Sequence, residues 1–213
     1  MTDRYPGYDV LSKRWTPSWN EATRAVVDKR LNVPRIPRFF TSEEWKTLTA
    51  ICDRIVPQPD DRPTVPLPIY VDQKMADDKL DGYRYAQLPP QGEAWRRGLA
   101  ALDQHAQAAR GLRFHELPAS HQDELLQQAQ RGELTGEAWG GMPCDMFFKH
   151  RIIPDITHAY YAHPFAWNEI GFGGPASPRG YVRMALNRRD PWEAAESRPS
   201  REITASAKNE HVG

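Results

Sequence analysis

Proline sets the strongest limit on this chain. It holds 19 prolines in 213 residues, about 9%, against about 5% in an average protein. Each proline removes a backbone donor and breaks a helix interior, and biases its predecessor toward extended backbone. The prolines cluster at 34–37, 57–68, 89–90 and 175–178. Between these clusters lie the only stretches long enough for regular helices, so the chain must fold as short helices joined by stiff loops. The length suits one domain or two.

Helical spacing fills those stretches. A helix is expected from Pro17 at its first position, capped by Thr16, to Leu31. Thr41-Ser42-Glu43-Glu44 reads as a capping box with Phe40 as its hydrophobic staple. Trp45, Leu48, Ile51, Cys52 and Ile55 then share one face. A third helix is expected over Ile69–Leu80, with Ile69, Met75, Ala76 and Leu80 inward. A fourth is expected over Gly92–Arg110, with Trp95, Leu99, Leu102 and Ala106 inward and Gly111 as its cap. A fifth runs from Ser120 to Gln130. A sixth opens at Pro143, is kinked at Pro154 and is closed by Pro164. Sustained two-residue alternation is missing, so no sheet is expected. The fold expected is all-α: an irregular bundle of about six helices in residues 39–188. A proline- and aromatic-rich arm, residues 1–38, precedes it, and a loose polar tail, residues 189–213, follows.

Charge narrows the function. Lys and Arg number 28, as do Asp and Glu, so no net field gathers a phosphate backbone and nucleic-acid binding is not expected. The longest charge-free apolar run, Ile156–Asn168, contains two histidines and a proline, so no membrane span is expected. The first residues form neither a secretory nor a twin-arginine signal. The expected compartment is therefore the cytoplasm, or the periplasm if a signal-bearing partner carries the chain across. Cys52 and Cys144 read as two thiols, or as one disulfide in an exported chain.

No catalytic constellation assembles from the sequence. His150 and His158 fall roughly on one helical face, but Pro154 stands between them and no His-Glu-x-x-His occurs. Gly171-x-Gly173-Gly174 lacks the strand before it and the helix after it that dinucleotide binding needs. Cys144, near a helix N-terminus that would lower its pKa, could pair with His150 or His158, but no orienting third group follows. Catalytic, cofactor-binding and metal-binding residues are therefore assigned to none in this chain. The positive signal is aromatic. Of seven tryptophans, Trp15, Trp19, Trp139, Trp167 and Trp192 lie outside the helical core pattern, beside Pro, Gly or the chain ends. Aromatic anchors carry much of the energy at protein interfaces. Trp15, Trp19, Trp139, Trp167, Phe172 and Pro175 are the expected partner-binding residues.

Three stretches in order carry a family resemblance. The first is Phe39-Phe40-Thr41 with the following helix to Asp53-Arg54-Ile55-Val56-Pro57. The second is Gly111-Leu112-Arg113-Phe114 with Leu117-Pro118 and the Gln/Leu-rich helix. The third is Phe147-Phe148 through Tyr160-Tyr161-Ala162-His163-Pro164, then Trp167 to Pro175. Together they resemble the gluconate 2-dehydrogenase subunit 3 family over about residues 39–182. The resemblance implies a non-catalytic small subunit. Its large partner would be a glucose–methanol–choline type flavoprotein that carries FAD and oxidises a sugar, sugar acid or glycoside. Some members add a cytochrome, the implied electron acceptor. The small subunit would serve the partner's folding, stability or export. Alternatives are a transient assembly or export chaperone and a stand-alone His/Cys enzyme.

Overall fold

A computed structural model describes residues 3–79, 81–183, 185, 189–199 and 202–212. Among these residues the protein is all-α. Nine α-helices follow in order: α1 Glu21–Leu31, α2 Ser42–Ile55, α3 Leu67–Ala76, α4 Gln91–Arg110, α5 Ala119–Gln130, α6 Cys144–Phe147, α7 Ile153–Tyr161, α8 Pro164–Ile170 and α9 Glu202–Asn209. No described helix is long and apolar enough to cross a membrane. The chain divides into two compact units, Pro34–Tyr160 and Met1–Val33 with Tyr161–Gly213.

In the Pro34–Tyr160 unit, local sequence sets most helix ends. Thr41 accepts from the Glu44 N–H while the Glu44 carboxylate accepts from the Thr41 N–H, so α2 begins on a complete capping box. Leu48, Ile51 and Cys52 are its buried stripe. The third helix begins two residues earlier than expected and ends at Ala76; Leu80 lies outside the described residues. Gly111, in the left-handed region at φ +71°, ends α4. Trp95 on α4 meets Phe40 and Phe147 edge-on at 6.3 and 5.4 Å. Gly98 is what lets Phe147 approach, since a Cβ there would stand 2.3 Å from the ring. The expected proline kink takes a specific form. Before Pro154 the helix widens into a π-turn, Phe148–Ile152. The wider turn accommodates a ring that would otherwise clash with the carbonyl of His150.

The core of this unit buries charge as well. Asp72, fully buried, accepts the N–H groups of Arg38, Phe39 and Phe40 at 2.7, 2.9 and 3.0 Å. Asp155 accepts from Lys74 Nζ and Trp95 Nε1, each at 2.7 Å. Lys74 and Arg151 also hold Asp81, at 2.6 and 2.8 Å.

In the other unit the structure corrects two expectations. The helix expected from Thr16 starts at Glu21, with Asn20 as its cap; the Asn20 side chain accepts from the Thr23 N–H at 2.9 Å. Thr16 is occupied otherwise: its hydroxyl donates to the Lys13 carbonyl and accepts from the Ser18 N–H, closing a turn after the 3₁₀ helix Val10–Trp15. The tail is also not loose. It carries α9, and Asn209, 1% exposed, accepts from the Ala195 N–H and donates to the carbonyls of Pro6 and Ala195. Pro164 ends one helix and opens another, α8, capped by His163.

Candidate functional site

The site forms where the N-terminal arm grips the glycine-rich loop after α8. Helix α8 ends at Gly171, whose φ of +64° and close approach to Tyr5 exclude a side chain; a Cβ would stand 2.5 Å from the Tyr5 ring. Asn168 Oδ1 accepts the Val10 N–H at 2.8 Å. The arm then takes successive loop carbonyls. Tyr8 donates its hydroxyl to Phe172 O, Lys13 its amine to Gly173 O and Thr23 its hydroxyl to Ser177 O, each at 3.1 Å. Trp19 and Pro178 form an isolated antiparallel bridge. A flexible loop is thereby held along a fixed edge.

Five of the six expected partner-binding residues meet on this unit. Trp15 stands 78% exposed, with the guanidinium groups of Arg14 and Arg24 at 5.2 and 5.4 Å from its ring. Arg14 is itself tied to Asp28, and Arg24 donates to Trp19 O at 2.9 Å, so both cations beside the Trp15 ring are anchored. Phe172, also exposed, meets Trp167 edge-on at 5.4 Å. Pro175 is half-buried. Trp19 and Trp167 are buried in their own chain. Trp167 donates its indole N–H to Tyr161 O at 2.7 Å, whereas the Trp19 N–H is buried without a partner. Trp139 is not among them. It belongs to the Pro34–Tyr160 unit, where it is buried and donates to His105 Nε2 at 3.1 Å. Trp192 lies beneath the Arg179 guanidinium at 4.4 Å.

Two titratable groups of this site are perturbed by burial. The Tyr8 phenol is pushed well above its ordinary range by desolvation, with the charges of Asp9 and Glu193 adding to it. The Lys13 amine, 1% exposed, is held down at about 8 by desolvation and by Arg179, against the pull of Glu193. No signal in the sequence marks Lys13 as buried. Asp155 was missed as well, although one signal was present: an acid between Ile153 and Ile156 on an apolar helix needs a partner, and Trp95 carries a donor.

The side chains singled out for chemistry belong to the Pro34–Tyr160 unit. Cys52 and Cys144 are free, buried thiols. Cys144 opens α6, yet burial raises its pKa, so it does not have the lowered pKa expected at a helix N-terminus. His150 stacks on Tyr85 at 3.9 Å, and burial together with Lys149 and Arg151 lowers its pKa. His158 is exposed beside a cavity of about 240 Å³ that Lys74 and Asp155 also line. Among the described residues no three His, Cys, Asp or Glu side chains are placed to hold a metal ion.

Comparison with known proteins adds one match. A family model described as gluconate 2-dehydrogenase subunit 3 matches residues 42–174. The matched span runs from α2 through α8 to Gly174 and leaves out the arm. No curated protein and no solved structure matches the chain.

Proposed function

We propose, from the premise that this chain belongs to the gluconate 2-dehydrogenase subunit 3 family and is thus a subunit of a dehydrogenase complex, that it is the non-catalytic small subunit of an FAD-dependent dehydrogenase. The large subunit carries the FAD and oxidises a sugar, a sugar acid or a glycoside; a cytochrome takes the electrons. The compartment is that of the partner. The observation that carries the reading is the family match along residues 42–174.

The platform supports it. Trp and Arg dominate the residues that anchor protein interfaces, and Trp15 with Arg14 and Arg24 offers both types on one exposed patch. The arginines keep the ring in place before binding, so less side-chain entropy is lost on docking. Trp15 and Phe172 are the anchors; Trp167 supports Phe172 edge-on at 5.4 Å. A subunit that binds only the folded partner stabilises it by mass action, which is how a chain without a catalytic centre would serve the reaction.

The test is purification of the tagged full chain from its native host. The expected product is a stable one-to-one complex with a larger protein, with a flavin absorption spectrum and dehydrogenase activity on a sugar or sugar acid. A colourless, monomeric chain overturns the reading. A complex that forms only during biogenesis and is absent from the mature enzyme makes the chain an assembly chaperone instead.

A further inference from the structure

Beside the platform lies a cavity of about 20 Å³ lined by Lys13, Ser18, the Gly173–Ala176 loop, Arg179 and Glu193. Lys13 is almost wholly buried, and its amine has one acceptor, Gly173 O at 3.1 Å. Among the described residues no carboxylate lies within ion-pairing distance of it. Ser18 is 5% exposed, and its hydroxyl is buried with no partner. The acid on the wall, Glu193, is engaged, accepting the Asp190 N–H at 2.6 Å. Arg179, the other cation on the wall, is held against Trp192. The cavity thus gathers a desolvated ammonium with spare donors, a spare hydroxyl and a second positive charge. A buried charge whose nearby acid, Glu193, acts on it without an ion-pair contact remains unfavourable.

We propose that this cavity is a carboxylate-binding site, in which one carboxylate head takes the spare donors of Lys13 and Ser18. Its size sets the ligand class. About 20 Å³, against the roughly 10–15 Å³ that one water requires, admits at most the tip of the smallest head group, and a phosphate or an intact sugar does not fit. The carboxylate comes either from a free small acid or from an acidic side chain or C-terminus of the partner subunit. The site goes beyond the accessory-subunit reading and stands or falls apart from it, because its first test needs the full chain alone.

That test is trace acetylation of the full chain across a pH series, with Lys13 modification read by mass spectrometry. Formate is the probe, and chloride at equal ionic strength the control. Formate is expected to slow Lys13 acetylation saturably and to move its midpoint upward by about one pH unit, with chloride inert. Ser18→Ala is expected to weaken formate binding about tenfold, the loss of one hydrogen bond to a charged group; Lys13→Met removes the site. A formate effect in the free chain assigns the site to free acids. The same protection only in the purified complex, lost when one acidic residue of the partner is neutralised, assigns it to the partner. No protection in either form, or equal protection by chloride, overturns the proposal.

Discussion

The two units differ in where buried polarity is left open. In Pro34–Tyr160 the buried acids are paired. Asp155 is met by Lys74 and Trp95, and Asp72 takes three backbone N–H groups. Arg151 is tied to Asp81 at 2.8 Å, although two of its nitrogens, like His115 Nδ1, lack a partner. In the unit of the two chain ends Asn209 is paired as well, but the groups beside the glycine-rich loop are not. Lys13 has no carboxylate at ion-pairing distance among the described residues, Ser18 Oγ and Trp19 Nε1 lack partners, and Trp15 is 78% exposed. The open groups of the second unit thus lie along the loop where we place the partner. The family match follows the same division: it spans nearly all of the first unit and only residues 161–174 of the second.

The largest expected effect breaks the first unit. Asp155→Ala removes the acceptor of the buried Trp95 N–H and one of the two carboxylates that hold Lys74, with Asp81 remaining, and should cost about 3 kcal/mol of stability, the lower end for breaking a buried ion pair; urea unfolding measures it. Asp72→Ala should cost about 2–3 kcal/mol by orphaning the N–H groups of Arg38, Phe39 and Phe40. If either variant unfolds like the wild type, the claim that this unit is held by paired polarity fails.

The next effect belongs to the open unit. Trp15→Ala should leave urea unfolding within about 0.5 kcal/mol of wild type and weaken partner binding by about 2 kcal/mol, roughly thirtyfold. Unfolding of this variant with unchanged partner affinity would make Trp15 a packing residue and erase the contrast.

The remaining effect is a slope in pH. The Lys13 amine titrates at about 8 when folded, against an ordinary 10.5. Between those values the unfolded chain holds more protons, so stability climbs with pH. The penalty for burying the charge is in full force below about pH 8 and relieved as pH rises toward 10.5. Wild type should therefore gain on Lys13→Met in urea midpoint between pH 8 and 10. A constant difference would mean that Lys13 carries no penalty for water-free burial.

Local signals were legible in the sequence, and distant ones were not. The capping box of α2 and the Gly111 end of α4 depend on residues within one turn, and both stand where the sequence places them. Thr16 and Asn20 are both good caps, and the choice went to Asn20 because Thr16 closes the turn behind Trp15. The tail reads as polar because α9 is anchored by little more than Ala205, Asn209 and Val212. The Asp155 network joins Arg151, four residues before it, to Lys74 and Trp95, and no local pattern points to the last two. Among the aromatics, Trp15 and Trp19 are four residues apart with opposite fates: one faces water and the other packs on Gly174. Composition marks such residues as important without saying which way they point.

The central claim is that the arm and the glycine-rich loop together face the partner. Hydrogen exchange, compared by mass spectrometry between the full chain alone and the purified complex, tests it most directly. Binding should slow exchange over residues 10–19 and 171–182 and leave α2 and α4 unchanged. Slowed exchange confined to Pro34–Tyr160, with the arm and loop unaffected, would contradict it.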